Sequence, residues 1–286
     1  MDAIYKTLIE DGYVSLAVLE TTNIVNKAIK LHNLTPLTAA GLGRTMTASL
    51  FMASTLKNKR DKIYVTISGS GVGGSVVVCA DAALRVRGYI DNPSATLPLK
   101  PNGKLDVKGL IGEGRLSVVK SMGLKEPYTG ASKLISGEIA EDFAYYYTVS
   151  EQTPTAMALG VKVSKTGKCV GAGGVIMQVL PGCSLDKIER AEKLIAKFNN
   201  VSSIIEEIGA ENLCKEYFSG YTFDKYEPTY KCICSKRYVD KIVLSLGKNE
   251  AESIICEQGK IEVICPYCSK KYTYLDGDVN KLFTTK

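Results

Sequence analysis

Two tight cysteine pairs, Cys232-Ile233-Cys234 and Cys265-Pro266-Tyr267-Cys268, stand thirty residues apart in the last quarter of this 286-residue chain. A tetrahedral ion takes four such thiolates, with sulfur at about 2.3 Å from zinc. A C-x-x-C turn lets two sulfurs converge, and a second close pair brought up by a hairpin completes the shell. The intervening chain can supply that hairpin. Residues 238–244 read as a helix or a strand, Gln258-Gly259 as a turn, and residues 261–264 as a strand running into Cys265. The spacing predicts one four-cysteine zinc site per chain, on Cys232, Cys234, Cys265 and Cys268. Cys256 ends the apolar run Ser253-Ile254-Ile255-Cys256 and reads as core. Cys79, Cys169, Cys183 and Cys214 lie outside both pairs and receive no role. The first pair is C-x-C, and a disulfide across one residue closes a small strained ring of the labile, regulatory kind. The site can therefore be structural or a switch.

An odd count of nine cysteines argues against a secreted disulfide framework. The opening residues, Met1-Asp2-Ala3-Ile4-Tyr5-Lys6, lack a basic stretch followed by an apolar one, so no signal peptide is expected. No run approaches the roughly 18 apolar residues of a membrane span. A cytoplasmic protein is the expectation. Apolar residues make up 45% and charged residues 23%, enough to build a core and too apolar for a disordered chain. The net charge of +6, from 36 basic and 30 acidic residues, is too mild to demand nucleic acid. His32 is the single histidine. A multi-histidine metal site is therefore impossible, and a Ser-His or Cys-His catalytic unit could be built only on His32. That residue sits in a polar stretch and reads as a surface or capping histidine.

Residues 1–180 read as a mixed α+β domain. Thr35-Pro36 makes an N-cap with proline at the first helical position, opening a helix to Leu56 that is largely buried and carries Arg44 as its one internal charge. Residues 62–67, 75–79 and 116–120 read as strands. Gly69, Gly71 and Gly74 match G-x-G-x-x-G, but the valines that follow argue for a glycine-rich connection between strands over a dinucleotide site. Residues 143–147, Phe-Ala-Tyr-Tyr-Tyr, read as core. From Ser184 apolar residues recur at three and four, giving one helical face through Phe198. Ser203 with Glu206 reads as a capping box for a second helix, and Gly209 as its stop. The expected organisation is an N-terminal α+β domain (1–180), an amphipathic helical linker (181–226) and a small C-terminal zinc module (227–286).

The cysteine pattern, C-x-C followed by C-P-x-C, resembles that of the 33 kDa chaperonin (heat-shock protein 33) family of redox-regulated chaperones. Gly69-Ser70-Gly71-Val72-Gly73-Gly74, Cys79-Ala80-Asp81 and Val86-Arg87-Gly88-Tyr89 resemble its first domain. So do residues 151–160, Gly171-Ala172-Gly173-Gly174 and Leu180-Pro181-Gly182. The resemblance implies an ATP-independent holdase, not an enzyme, that binds unfolding proteins under oxidative and heat stress. It implies zinc on the four cysteines in the reduced form. On oxidation it implies zinc loss, with disulfides Cys232–Cys234 and Cys265–Cys268, and a homodimer as the active form. The 184–218 face then reads as a conditional apolar surface.

Two other readings stand beside it. Lys236-Arg237-Tyr238 and Ser269-Lys270-Lys271-Tyr272 interleave basic and aromatic residues as a nucleic-acid-binding zinc ribbon does. Against it, residues 227–286 carry ten Lys/Arg and eight Asp/Glu, a net of +2. Cys-Pro-Tyr-Cys also resembles a redox dithiol, but such activity wants a helix after the motif, and residues 269–274 do not read as one.

Overall fold

Thr35 and Pro36 open the helix around which the first part of the chain is layered. The computed structural model describes residues 1–123 and 126–284. They gather into two compact units, Met1–Lys231 and Cys232–Lys286.

In the first unit, β1 (Ala3–Ile9) and β2 (Val14–Glu20) form a hairpin. The first turn of α1 (Thr22–His32) is held by the Asp2 carboxylate, which accepts from the backbone N–H of Asn23 at 2.8 Å and of Ile24 at 2.7 Å. In α2 (Pro36–Ala53), Thr35 Oγ1 accepts from the Thr38 N–H at 3.2 Å, the cap expected from sequence. The helix ends at Ala53, three residues short of the expected Leu56. Then follow β3 (Lys62–Gly69), β4 (Val76–Asp81), β5 (Arg85–Ile90), α3 (Val107–Ile111), β6 (Gly114–Ser121), β7 (Tyr128–Lys133) and α4 (Ile139–Ser150). After them come β8 (Thr155–Val163), β9 (Cys169–Val179), α5 (Leu185–Ile195), α6 (Val201–Tyr217), β10 (Asp224–Tyr226) and β11 (Thr229–Tyr230).

The strands make a five-stranded sheet, β10-β1-β2-β9-β8, and a six-stranded sheet, β11-β5-β4-β3-β6-β7. Helix α2 touches both sheets, and 16 of its 18 residues are buried, which explains its near absence of charge. Two of its buried hydroxyls are satisfied locally: Thr45 donates to the Gly41 carbonyl and Thr47 to that of Gly43. Arg44 finds Glu138, at 2.9 Å, just before α4, and Lys100 Nζ joins the same carboxylate at 2.6 Å. The aromatic run at 143–147 lies in α4 with Phe143, Tyr146 and Tyr147 buried, as a core segment should. The glycine connection joins β3 to β4 as expected. A Cβ on Gly69 would fall on the Ile111 carbonyl and one on Gly71 on that of Leu110, so α3 backbone fills the loop.

Helices α5 and α6 cover the other face of the five-stranded sheet. Ala191, Phe198, Val201, Ile205, Leu213 and Phe218 pack with Tyr5, Val14, Leu16, Val18, Val175 and Met177. Two details differ from the sequence reading. Leu185, placed on the apolar face, is exposed at the first turn of α5. Ser203 is not a cap, because α6 begins earlier, after Asn200. Gly209 does interrupt α6, with φ 74° and ψ 165°. The helix resumes at Ala210, whose N–H donates to Glu20 Oε2 at 3.0 Å.

The second unit contains α7 (Lys236–Leu246), α8 (Lys248–Gln258), the hairpin β12 (Ile261–Ile264) and β13 (Lys271–Tyr274), and α9 (Asp276–Thr284). Its buried apolar residues are Val239, Val243, Ala251, Ile261, Tyr272, Tyr274 and Val279. Mixed helices and sheets with a small four-cysteine segment at the end make this an α+β chain, as read from sequence.

Because α2 is packed on both sides, Leu42→Ala should leave a cavity that cannot collapse. The expected loss is about 2–5 kcal/mol for the first unit, read from urea unfolding.

Candidate metal centre

The site is assembled from two local structures. The first pair lies in extended chain ahead of α7, where Ser235 Oγ accepts from the Tyr238 N–H at 3.3 Å and fixes the helix start. Cys232 and Cys234 thus lie immediately before the first turn of this helix. The second pair forms the loop of the β12–β13 hairpin. The Cys265 N–H donates to the Lys270 carbonyl at 3.0 Å, and the Ser269 N–H to the Cys265 carbonyl at 2.9 Å. Ser269 takes the left-handed conformation, φ 57°, that closes the loop.

All four sulfurs lie within 4.8 Å of one another. Cys232 Sγ is 3.7 Å from Cys265 Sγ, and Cys234 Sγ is 3.4 Å from Cys268 Sγ. Tetrahedral coordination at about 2.3 Å sets sulfurs roughly 3.8 Å apart. The arrangement therefore fits one metal ion with four sulfur ligands, and all four cysteines are free thiols. An all-sulfur donor set selects soft or borderline ions.

Further groups point hydrogen bonds at the sulfurs. The Cys234 backbone N–H donates to Cys232 and the Lys270 N–H to Cys268. The Tyr272 hydroxyl donates to Cys234 Sγ at 3.2 Å. The four thiols are consequently not equivalent. Burial pushes Cys232 and Cys268 above the usual thiol range. Burial acts upward on Cys234 too, but the hydrogen bonds from Tyr272 and the neighbouring thiols outweigh it and bring this thiol below that range. The phenol of Tyr272 is pushed up in turn, chiefly by its bond to Cys234.

Sequence alone does not single out Tyr272 as a partner of the site; it enters there only in the alternative nucleic-acid reading. The alternation Lys271-Tyr272-Thr273-Tyr274 is the signal for its true place: in a strand, Tyr272 and Tyr274 share the inward face. Tyr274 donates to Asp240 at 2.7 Å and so ties the hairpin to α7. The ring faces are also engaged, Tyr274 by Lys236 Nζ at 4.2 Å and Tyr272 by Lys270 Nζ at 5.1 Å. Cys256 requires a correction. It is exposed on α8, because that helix turns Ile254 and Ile255 toward the core and Cys256 away. The Cys-Pro-Tyr-Cys loop is followed by β13, not by a helix, so it lacks the frame of a thioredoxin-type dithiol. His32 ends α1, half-buried, with Nε2 3.2 Å from the Tyr230 hydroxyl, a packed position in place of the expected surface or cap. Among the described residues no helix is long and apolar enough to cross a membrane.

Tyr272→Phe removes one bond to sulfur and nothing else. The affinity of the reduced chain for Zn²⁺, read by competition with a chromophoric chelator, should fall by about tenfold.

A model of the Hsp33 protein family matches residues 2–275. A "33 kDa chaperonin" of Clostridium botulinum (strain Eklund 17B / Type B) is 40% identical over 295 residues, covering 98% of this chain and 97% of that protein. One of Acetivibrio thermocellus is 40% identical over 285 residues, covering 98% and 96%. The crystal structure of the 33 kDa chaperonin (heat shock protein 33 homolog) of Thermotoga maritima superposes with a TM-score of 0.91 at 34% identity, covering 98% of this chain and 97% of that one.

Proposed function

The chain belongs to the Hsp33 protein family, and from that membership we propose that it is a redox-regulated, ATP-independent holdase chaperone of the cytoplasm. The observation that carries the reading is the convergence of four thiols in a unit with a thin core of its own. Relatives 40% identical over nearly the whole chain are named chaperonins, which supports protein binding over catalysis.

In the reduced protein Cys232, Cys234, Cys265 and Cys268 would hold one ion, and zinc suits four thiolates. Zinc there would keep all four sulfurs ionised and cross-link chain segments about thirty residues apart, adding folding free energy to the unit. The thiolates themselves are the sensor. One attacks a peroxide oxygen, the O–O bond breaks, hydroxide leaves, and a sulfenic acid forms. The second sulfur of the pair then attacks the sulfenic sulfur, closing the S–S bond and expelling a second hydroxide. Two electrons pass from the sulfurs to the peroxide. Family membership supports bonds within each pair, Cys232 to Cys234 and Cys265 to Cys268. Such bonds close only short loops, so the two segments come untied. A unit of 55 residues whose apolar cluster has seven buried side chains among the described residues then lacks the means to stay folded.

Loss of the second unit frees the C-terminal end of the segment that carries α5 and α6. Their apolar residues, and those of the sheet beneath, become the surface that retains unfolding proteins and prevents their aggregation under oxidative and heat stress. The active species is a homodimer, and release of the bound protein follows reduction.

Peroxide treatment should release about one zinc per chain, followed with a metallochromic dye. The release should track suppression of light scattering by a thermally unfolding protein and reverse with reductant plus zinc. Zinc that stays bound, or leaves with no gain in suppression, would overturn the reading. Cys232→Ser should abolish zinc binding and leave suppression independent of peroxide. Peptide mapping of the oxidised chain should recover both bonds within the pairs. Cross-pair bonds, Cys232–Cys265 with Cys234–Cys268, would staple the unit closed and sink the unfolding step.

A further inference from the structure

Each sheet of the first unit ends, on one side, at a strand supplied by the same short segment. β10 closes the five-stranded sheet, antiparallel to β1, with Ile4 opposite Tyr226, Tyr5 opposite Lys225 and Lys6 opposite Asp224. β11 closes the six-stranded sheet, parallel to β5, with Thr229 opposite Arg85 and Tyr230 opposite Val86. Residues 224–230 thus cap two sheet edges at once.

The cap is held through its backbone pairing and through Pro228, which is buried between the two strands. Asp224, Lys225, Tyr226 and Thr229 are exposed. The Thr229 N–H donates to the Leu84 carbonyl and the Lys231 N–H to the Val86 carbonyl, each at 2.9 Å. Two aromatic anchors flank these strands. Phe223 meets Tyr5 edge-on at 6.5 Å. The Tyr230 hydroxyl donates to the Gly88 carbonyl at 3.2 Å. Cavities of about 360 Å³ beside Phe223 and about 290 Å³ beside Tyr230 adjoin the anchors. Under the cap, Ile4 and Val86 are fully buried, so β1 and β5 are built as interior strands.

Bared edges of this kind are templates for another strand. Extended peptides add to such edges by main-chain hydrogen bonds, with side-chain pockets setting preference. Resting on the chaperone reading above, we propose that residues 221–231 are a built-in stand-in for the unfolded client. The edges of β1 and β5 are where an extended, aromatic-containing stretch of client adds as a strand, and this segment holds them until it is displaced. The segment ends at Lys231, directly before Cys232, so the chain that must leave the edges is continuous with the chain that oxidation frees. Recognition through the main chain is tolerant of client sequence. It also differs in kind from adhesion to the apolar face of α5 and α6, which reads area and no N–H groups.

The test separates main chain from side chain. A synthetic peptide of residues 221–231, and the same peptide N-methylated at Thr229 and Lys231, are titrated against the oxidised full-length chain while aggregation of a heated client is followed. The unmodified peptide should relieve suppression, and the methylated one should do so about tenfold less effectively or worse, since two backbone hydrogen bonds are lost. Equal competition by both peptides, or none by either, overturns the proposal and leaves the chaperone reading intact. A second measurement needs no client. In the reduced chain, Thr229→Pro removes the donor to Leu84 and Tyr230→Ala removes an anchor. Either variant should bind the labelled peptide about tenfold more tightly than the parent, by anisotropy, because the competent fraction rises. No gain in either variant also overturns the proposal. Failure of the oxidised chain to suppress aggregation at all is a different result and counts against the chaperone reading alone.

Discussion

A unit of 55 residues is marginal on apolar burial alone, and that thinness gives weight to whatever else joins its parts. Its core amounts to a few aliphatic residues from α7, α8, β12 and α9 and two tyrosines from β13. What unites the parts is chemistry at the four sulfurs, brought within 4.8 Å by a helix start and a hairpin loop. Tyr272 shows how closely core and site are merged. The same side chain fills the centre of the unit and donates to Cys234. A change at the sulfurs is therefore also a change in packing.

The first unit has the opposite economy. Helix α2 lies between two sheets and contributes apolar surface in every direction, so loss of a distant element does not open it. The elements laid over this frame are of graded attachment. Helices α5 and α6 bury one apolar face each on the five-stranded sheet. Residues 224–230 bury little beyond Pro228 and part of Tyr230, and are attached through strand pairing at two edges. The lightest attachment among these elements is thus where the chain approaches the cysteines.

Local chemistry in the sequence was legible wherever it decides structure locally. Thr35-Pro36 caps α2, valines continue the glycine connection as a strand, and the spacing of four cysteines foretold their convergence. Misreadings arose where a distant partner overrides the local signal. Ser203 and Glu206 have the spacing of a capping box, yet contacts with the sheet start α6 earlier and place both inside the helix. Cys256 belongs to an apolar run, but a helix spreads four consecutive residues over all its faces, and this one falls outward. β10 and β11 were invisible for a similar reason. They are three and two residues long, and their partners in β1 and β5 are well over a hundred residues away.

The break at Gly209 bears on the order in which the molecule assembles. Residues 210–217 form barely two turns, too short to persist as a helix alone. Their first N–H is received by the carboxylate of Glu20, which belongs to a strand laid down near the beginning of the chain. That stretch can take its shape only on a sheet already built, so it joins late in folding and sits outside the nucleus. Substitutions along it will change how fast the native state comes apart and barely touch the rate at which it forms.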